Sequence, residues 1–517
     1  MKNLAVQMDQ IVKIYPNGVL ANDRVDFSVE KGEIHALVGE NGAGKTTLMK
    51  ILFGIEEPTD GSLSIGGNRV SIHSVAEALK LGLGMVQQHF MLVPSMTVAE
   101  NILLGDEPVR GALLDQGEAI RKTRELCKTY SFDMDVGTRI DDLSVGDKQK
   151  VEILKVLYRQ AQVIILDEPT AVLTPQETEE LFRQLRVLKE HGHTIVFISH
   201  KLREIKEICD RVTIMRSGRT VGTYPLSEIS VEQISEYMMG QQVHLEVPKP
   251  TAIPGAVKLK VQDVSYATEE GKQVLDHVSF DVRSGEILGI VGVEGNGQKE
   301  LVEIISGNAV QLEGSVFLNG QNTAKLSIRA IRDNSFSYVP QERMSTGIAA
   351  DCSITENMFS VAFQNPENRR GVLLDWKKMA KSARESIQEY LIKTDSDRTA
   401  IRMLSGGNIQ KVVVAREFMG NPQVIVAEQP TRGIDVGAAN LIHRKLVDLR
   451  SGGSAVLLVS SDLSEILTLS DSILVLYNGK IVAYFPDVSH LQESDLGFYM
   501  LGVKHQTEDA IGRCRHE

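Results

Sequence analysis

The fold is decided by the stretch Gly39-Glu-Asn-Gly-Ala-Gly-Lys-Thr46, which has the spacing of a phosphate-binding loop. An apolar run over residues 34–38 predicts a buried strand before it, and a helical pattern over residues 46–53 follows it. Glycines allow backbone N–H groups to converge on phosphate oxygens at the positive end of such a helix. We therefore expect Lys45 to reach the β- and γ-phosphates of a nucleoside triphosphate, and the Thr46 hydroxyl to ligate Mg²⁺. A glycine-rich turn that only connects strand to helix is the alternative.

Further candidate residues lie at the ends of two more predicted strands. The segment Val163-Ile-Ile-Leu-Asp-Glu168 is apolar up to its two carboxylates, and His200 follows the apolar residues 194–198. In a parallel sheet these ends share one edge with the phosphate loop, since ligands bind at the carboxyl ends of the strands. Asp167 is then expected to hold Mg²⁺ through a water, Glu168 to polarise the attacking water, and His200 to contact the γ-phosphate. A solvated strand edge and a structural histidine are the alternatives.

The second half of the chain repeats the first. Residues 29–39 resemble residues 282–292, and Leu143-Ser-Val-Gly146 matches Leu404-Ser-Gly-Gly407. Such similarity over almost the whole length predicts two homologous domains. In each, short apolar strands alternate with helical patterns, which predicts an α/β fold with a mostly parallel sheet. The segment over residues 90–155 lacks this alternation and is expected to be an inserted helical subdomain.

The repeat sets the expected domain boundaries. The first domain covers residues 1–243 and the second covers residues 257–505. Residues 244–256 form a linker whose three prolines favour an extended chain. Residues 506–517 are expected to be a flexible tail.

The composition excludes several classes of protein. The chain has 517 residues, a net charge of −12 and 42% hydrophobic residues, so it is expected to be globular and not disordered. Its apolar runs are too short to span a bilayer, and the first residues lack the apolar core of a secretory signal. The four cysteines are dispersed, which argues against a disulfide framework or a zinc ribbon. These features predict a soluble cytoplasmic protein, and the acidic charge argues weakly against nucleic-acid binding.

The order of the motifs resembles that of ATP-binding-cassette (ABC) ATPases. The phosphate loop, Gln88, Leu143-Ser-Val-Gly-Asp147, Asp167-Glu168 and His200 follow one another as they do in that family. The resemblance covers both halves and implies that two cassettes hold two ATP molecules head to tail. Each ATP would lie between the phosphate loop of one cassette and the Leu-Ser-Gly-Gly signature of the other.

We name the pocket with the intact motifs site one. The resemblance implies that its catalytic residues are Lys45, Gln88, Glu168 and His200, and that its Mg²⁺ ligands are Thr46, Gln88 and Asp167. Tyr15 is similar to the aromatic residue that stacks on adenine in the family. The other nucleotide contacts implied are Gly39, Glu40, Asn41, Gly42, Ala43, Gly44 and Thr47 of the first half, and Ser405, Gly406 and Gly407 of the second.

The second half has lost the catalytic groups at the matching positions. The replacements are Gln298 for Lys45, Lys299 for Thr46, Glu428 for Asp167, Gln429 for Glu168, and Ser461 for His200. The first signature is altered too, with Val145 where the family has glycine. Head-to-tail pairing would collect these altered groups in a second pocket, site two. We expect site one to hydrolyse ATP and site two to bind nucleotide weakly or statically, with Lys299 as a partial substitute for the Mg²⁺ charge.

Several stretches look like the fused ATPase subunits that energise uptake of simple sugars and nucleosides. They are Gly84-Met-Val-Gln-Gln-His-Phe-Met-Leu-Val-Pro94, Leu143-Ser-Val-Gly146, Tyr338-Val-Pro-Gln-Glu-Arg343 and Gln429-Pro-Thr-Arg-Gly-Ile-Asp435. The resemblance implies two integral-membrane permease subunits and an extracytoplasmic solute-binding protein as partners. It places this chain at the cytoplasmic face of the cell membrane, held there through protein partners only. The variant second loop favours a nucleoside as the transported solute, and a simple sugar is the alternative.

A tandem-cassette ATPase that acts in translation or DNA repair is the alternative function. Translation factors of this kind usually carry two consensus sites and a long charged linker, and repair or ribosome-recycling relatives carry cysteine-bound metal modules. This chain has one degenerate site, a short proline-rich linker and dispersed cysteines. We therefore expect no nucleic-acid partner. A nucleotide-binding regulator without turnover is disfavoured by the complete set of groups at site one.

Overall fold

The computed structural model describes residues 3–16, 18–40, 42–87, 90–110, 113–170, 173–199, 201–240, 247–268, 271–434 and 436–515. The chain forms two compact units, Met1–Val243 and His244–Glu517. Each unit is an α/β domain with a mostly parallel central sheet, as the sequence predicts.

The first unit contains twelve strands and eight α-helices among its described residues. The strands are β1 (Leu4–Ile14), β2 (Leu20–Glu30), β3 (Ile34–Gly39), β4 (Asp60–Ile65), β5 (Asn68–Val70), β6 (Leu83–Val86), β7 (Val109–Arg110), β8 (Leu113–Leu114), β9 (Val163–Asp167), β10 (Thr194–Ile198), β11 (Arg211–Arg216) and β12 (Arg219–Pro225). The helices are α1 (Lys45–Leu52), α2 (Val75–Lys80), α3 (Val98–Leu103), α4 (Gln116–Thr129), α5 (Val145–Tyr158), α6 (Pro175–Glu190), α7 (Leu202–Ile208) and α8 (Val231–Met239).

The central sheet of the first unit has the order β12-β11-β3-β10-β9-β6, and only β12 runs antiparallel to its neighbour. The register pairs Ile198 with both Leu37 and Asp167, so the ends of β3, β9 and β10 lie side by side. A smaller antiparallel sheet, β2-β1-β4-β5, packs with α1 on one face of the central sheet. The pairing thus brings the residues that follow these three strands to one edge.

The central strands are apolar on both faces, as expected of parallel strands covered by helices and a second sheet. On β3, Leu37 faces the core shared with α1 and the smaller sheet, while Ala36 and Val38 face the core shared with α5, α6 and α7. Phe182 of α6 and Phe197 of β10 meet in that second core, with ring centroids 6.2 Å apart. These two layers hold the phosphate-loop edge in place.

The inserted subdomain is helical, with one addition to the expectation. Helices α3, α4 and α5 pack around a shared apolar core, and a short hairpin of β7 and β8 leads into α4. The side chains of Val109, Leu113 and Leu114 in this hairpin are exposed. The sequence pattern did not reveal the hairpin, since its strands have two residues each.

The second unit repeats this architecture. Its strands are β13 (Val257–Ala267), β14 (Gln273–Arg283), β15 (Glu286–Val291), β16 (Glu313–Leu318), β17 (Gln321–Asn322), β18 (Phe336–Val339), β19 (Arg369–Arg370), β20 (Leu373–Leu374), β21 (Val424–Glu428), β22 (Ala455–Val459), β23 (Ser472–Tyr477) and β24 (Lys480–Phe485). Its helices are α9 (Gln298–Ile305), α10 (Ile328–Asp333), α11 (Ile354–Phe359), α12 (Trp376–Glu389), α13 (Gly406–Phe418), α14 (Val436–Ser451), α15 (Leu463–Leu469), α16 (Glu493–Met500) and α17 (Glu508–Gly512). The central sheet, β18-β21-β22-β15-β23-β24, has the same connectivity as that of the first unit.

The proline-rich segment over residues 247–256 lies outside helices and strands and is anchored to the second unit. The Lys249 ammonium donates to the Ser470 carbonyl at 2.6 Å, and the Arg450 guanidinium donates to the Pro250 carbonyl at 2.7 Å. Arg450 is buried and also pairs with Asp471. These described residues therefore belong structurally to the second unit, although the sequence predicts a separate linker.

The expectation of a flexible tail after residue 505 is wrong for the described residues up to 515. Residues 508–512 form α17, and the Cys514 thiol donates to the Ser279 carbonyl at 3.3 Å. Cys514 is 1% exposed, and its carbonyl accepts the Asp281 N–H at 2.9 Å. The sequence could not show this packing, because it depends on a partner strand far away in the chain.

None of the helices in the described part of the chain is both long enough and apolar enough to cross a membrane.

Candidate functional site

The first phosphate loop joins β3 to α1. Gly44 caps α1 with φ of 95°, in the left-handed region that favours glycine. A Cβ atom at Gly44 would lie 2.5 Å from both the Ala21 carbonyl oxygen and the Asn22 side chain, so only glycine fits. Gly42 also has a left-handed φ, of 83°. Asn41 lies outside the described residues. The loop therefore has the tight backbone that a phosphate cradle needs.

The side chain of Lys45 lies within this loop. Its ammonium donates to the carbonyl oxygens of Gly39 at 2.7 Å and Glu40 at 3.1 Å, and the residue is 8% exposed. Burial lowers the pKa of Lys45, while the nearby carboxylates of Glu168 and Asp167 counteract this effect. A cation held at the mouth of a backbone cradle is suited to a phosphate anion.

The residues after Lys45 place two hydroxyls beside the loop. Thr46 is exposed at the first turn of α1. The Thr47 hydroxyl lies 3.3 Å from the Tyr15 hydroxyl, which brings the aromatic residue expected at adenine to the phosphate loop. The Lys13 ammonium lies 5.3 Å from the centre of the Tyr15 ring. Adenine stacking on Tyr15 stays a prediction.

Two carboxylates end β9 next to the loop. Burial raises the pKa of Asp167 to about 6; Glu168 adds to the rise and Lys45 opposes it. Glu168 has φ of 49°, a strained value for a residue with a side chain, and its N–H donates to the Ile198 carbonyl at 2.9 Å. The strand pairing thus holds Glu168 beside the end of β10.

These groups fit a Mg²⁺ ion. The donor set is the exposed Thr46 hydroxyl and the Asp167 carboxylate, and hard oxygen donors with retained waters are what Mg²⁺ prefers. The pKa of Asp167 is raised first by burial and then by the neighbouring Glu168 carboxylate, while Lys45 lowers it. Gln88 and His200, the other two residues expected here, lie outside the described residues.

The second loop has the same glycine cap as the first loop but lacks the positive charge of the lysine. Gly297 caps α9 with φ of 101°, as Gly44 caps α1. The Gln298 amide donates to the Val293 carbonyl at 3.3 Å and so lies within the loop, as Lys45 does. The side chain of Lys299 is 70% exposed and its ammonium lies 3.8 Å from Glu303. The hypothesis that Lys299 substitutes for Mg²⁺ inside the loop is therefore not supported.

At the end of β21, Glu428 and Gln429 replace the two carboxylates of the first unit, and both side chains are hydrogen-bonded to neighbours. Glu428 is 5% exposed, and its carboxylate accepts the Tyr338 hydroxyl at 2.6 Å and the Gln341 N–H at 3.4 Å. Burial raises the pKa of Glu428, against the lowering effect of the Tyr338 hydrogen bond. The Gln429 side-chain oxygen accepts both the N–H and the hydroxyl of Ser461 at 3.2 Å. Gln429 and Ser461 are thus bound to each other by neutral hydrogen bonds, and the Glu428 carboxylate is bound by Tyr338 and Gln341.

The two signatures begin helices α5 and α13. In the second unit Ser405 caps α13, and its hydroxyl oxygen accepts the Asn408 amide at 2.8 Å. The Arg343 guanidinium lies beside this helix start and donates to the carbonyls of Arg432 at 2.8 Å and Gly433 at 3.4 Å. Arg343 begins a single π-helical turn, Arg343–Gly347.

In the first unit Ser144 caps α5, and the Gly146 N–H donates to the Glu177 carboxylate at 3.0 Å. Sequence reasoning gave no role to Glu177 or to Arg343. The Thr174–Glu177 spacing could have revealed a helix cap, but no local pattern predicts the contact with Gly146.

Comparisons with known proteins agree with these motifs. The ABC transporter family model matches residues 22–171 and 275–432. The chain is 41% identical to the glucose import ATP-binding protein of Haloferax volcanii, over 99% of this chain and 98% of that protein. It is 42% identical to the guanosine import ATP-binding protein of Bacillus subtilis, over 96% of this chain and 97% of that protein. The ribose import ATP-binding protein of Rubrobacter xylanophilus is 38% identical, over 98% of this chain and 99% of that protein.

A solved structure matches both units together. An archaeal ribosome recycling factor, in complex with a ribosomal stalk protein, aligns with a TM-score of 0.61 and 20% identity over 92% of this chain and 90% of that chain. At this identity the likeness shows the tandem fold alone.

Proposed function

The chain belongs to the ABC transporter family as an ATP-hydrolysing import subunit, and from this premise we propose how its two halves divide the work. Site one hydrolyses ATP, and site two binds nucleotide without turnover. The observation that carries this proposal is the contrast between the loops: Lys45 brings a buried cation into the first, and Gln298 brings a neutral amide into the second.

In site one, Lys45 exchanges its carbonyl partners for the β- and γ-phosphate oxygens of ATP. Thr46 and Asp167 would hold Mg²⁺, which would supply positive charge to balance these phosphates. Glu168 accepts the proton of the attacking water as general base, which a half-buried carboxylate at the end of β9 is suited to do. Gln88 and His200 of the first half, and Ser405, Gly406 and Gly407 of the second, complete the proposed site.

Site two lacks the groups for this chemistry. Gln429 can orient a water but cannot accept its proton. One oxygen of the Glu428 carboxylate accepts the Tyr338 hydroxyl at 2.6 Å, and Lys299 replaces the hydroxyl that Thr46 would offer to a metal. The retained glycine backbone supports static binding of nucleotide phosphates.

The solute that this ATPase moves is proposed to be a nucleoside or a simple sugar. The support is the naming of its relatives, which import guanosine, glucose and ribose. We infer that the choice between the two classes lies with the separate binding protein and permeases.

The proposed partners are two integral-membrane permease subunits and a solute-binding protein, with this chain bound to the cytoplasmic face of the membrane. A groove of ≈160 Å³ in the first unit supports a permease contact beside Gln87. It is lined by the exposed side chains of Met91 and Leu104. The Lys155 ammonium of α5 donates to the Met91 carbonyl at 2.7 Å, so movement of this segment would be transmitted to the signature helix.

Reconstitution tests the proposal. We expect the chain, assembled with its permeases in lipid nanodiscs, to hydrolyse ATP faster when the binding protein and its solute are added. A panel of purine nucleosides, pentoses and hexoses identifies the solute class. Stimulation by ribosomal subunits or DNA, without stimulation by the permease complex, would support the translation or repair alternative instead.

A further inference from the structure

At the start of the first signature helix, α5, a backbone N–H donates to a carboxylate of the same unit. Helix α5 begins at Val145, and the N–H of Gly146 donates to Oε1 of Glu177 at 3.0 Å. Gly146 matches Gly407, which is an expected phosphate contact in the other signature. The N–H group that would face a terminal phosphate therefore already donates to a negatively charged carboxylate.

The carboxylate of Glu177 is fixed from a second side. Its Oε2 accepts the N–H and the hydroxyl of Thr174, each at 2.9 Å, in the capping box of α6. A Cβ atom built on Gly146 would lie 2.6 Å from Oε1 of Glu177. The anion is thus packed directly against the signature backbone and held there by its own helix.

The second unit has the opposite arrangement. When Pro169-Thr170 is aligned with Pro430-Thr431, Ala438 stands at the position of Glu177. The charged group beside the second signature is the Arg343 guanidinium, which would lie 2.8 Å from a Cβ atom built on Gly406. A cation favours phosphate at the signature that serves site one, and an anion opposes it at the signature that serves site two.

We propose that Glu177 is a specificity residue of site two that excludes the γ-phosphate, so that this site retains nucleoside diphosphate in preference to triphosphate. The inference rests on the proposed head-to-tail function. The second loop can still cradle a β-phosphate with its backbone N–H groups. A γ-phosphate would meet the Glu177 carboxylate with no lysine opposite it, because that position is Gln298.

The test measures fluorescent ATP and ADP analogues binding to the full chain. A Lys45→Ala, Thr46→Ala background silences the first loop, so that binding reports site two. In this background we expect the ADP analogue to bind more tightly than the ATP analogue. Glu177→Gln keeps the size and removes the charge, and should raise ATP-analogue affinity about fivefold, the factor that one unit charge at ~4 Å contributes in water. The ADP analogue should change by less than about twofold, since it lacks the charged group that meets Glu177.

Two matched variants separate charge from structure. Glu179→Gln makes the same charge change at an exposed position of α6 and should leave both affinities unchanged. Thr174→Ala breaks the capping box but keeps the carboxylate, and should lower the melting temperature without raising ATP-analogue affinity.

Equal changes for both analogues, or no detectable ATP-analogue binding after Glu177→Gln, would overturn the inference. Failure of the proposed function would appear separately, as hydrolysis that survives Lys45→Ala in an otherwise unmodified chain.

Discussion

Lys45 and Gln298 donate to matching carbonyl oxygens of the two phosphate loops. The Lys45 ammonium lies 3.1 Å from the Glu40 oxygen, and the Gln298 amide lies 3.3 Å from the Val293 oxygen. The two side chains thus occupy equivalent places and differ in charge. The second loop is therefore folded like the first and differs from it in lacking the lysine cation.

Replacing that cation should stop catalysis while leaving the loop folded. We expect Lys45→Gln to lower kcat for ATP hydrolysis by about 100-fold or more, because a charge-stabilising donor is lost. Lys31→Gln, which removes the same charge from an exposed turn, is the matched control and should retain activity. Phosphate release in steady state measures both. Undiminished kcat in Lys45→Gln would show that the first loop is not the catalytic one.

The proposed general base, Glu168, gives a second prediction. Glu168→Gln should lower hydrolysis ~10²–10⁴-fold while ATP remains bound, because the amide cannot accept the proton of water. The reverse change, Gln429→Glu, should not create turnover at site two, since Gln298 and Lys299 still replace the groups that bind phosphate and Mg²⁺. Single-turnover measurements with radiolabelled ATP distinguish binding from cleavage. Unchanged hydrolysis in Glu168→Gln would remove the basis for assigning site one.

Arg343 should matter for the signature that we propose to serve site one. Its guanidinium joins the carbonyls of Arg432 and Gly433 to the start of α13. We expect Arg343→Gln to lower kcat/KM for ATP about tenfold, the effect of losing one charged hydrogen bond. Arg343→Lys should recover part of this, because the charge remains. Arg402→Gln, at an exposed pair with Asp351, is the control. A uniform loss of stability with normal kcat/KM would indicate a purely structural role.

Stability of the first unit should fall in mild acid. His35 is buried, with its ring 2.9 Å from Glu33 and 2.7 Å from Thr213, and burial lowers its pKa below the ordinary 6.5. The unfolded state then binds the proton more readily, so stability present above pH 6.5 is lost as the pH falls below it. One such proton changes the free energy of unfolding by at most about 1.4 kcal/mol per pH unit.

Hydrogen exchange of β3 amides measures this effect in the first unit alone. His35→Gln should flatten the pH dependence below pH 6.5. The second unit has Leu288 at the matching position of β15 and provides the internal control. An equal acid slope in both units, or a slope that survives His35→Gln, would contradict the assignment.

Cys514 reports on the packing of the last described residues. Burial raises the pKa of its thiol to about 11, so it should react slowly with disulfide reagents while the protein is folded. Mass spectrometry after timed labelling measures this, with the partly exposed Cys352 as the comparison. Fast labelling of Cys514 under native conditions would show that residues 508–515 detach readily.

Sequence patterns predicted the parts of the molecule that depend on local rules. The strands β3, β9 and β10 are continuous apolar runs, and the phosphate loop has fixed spacing, so both the fold and the sheet edge could be predicted. The charges of Lys45 and Asp167 act on each other there because parallel strands end together.

The contacts that sequence missed are those between distant segments. Glu177 reads locally as a helix cap, yet its second oxygen binds Gly146 in another helix. Cys514 lies in a polar stretch that resembles a tail, yet it packs into the core of the second unit and binds Ser279 of β14. Such contacts depend on tertiary packing, and no periodicity within the segment indicates them.

The anchoring of the proline-rich segment decides where a gene fragment for the second half should start. A clone that begins at codon 257, where the first strand begins, would lack the Pro250 carbonyl that covers the Arg450–Asp471 pair. It would also lose the Lys249 ammonium that binds beside it. Water would then reach a buried arginine, and the recombinant product should be poorly soluble. Starting the clone at codon 247 keeps both contacts and should give a soluble fragment.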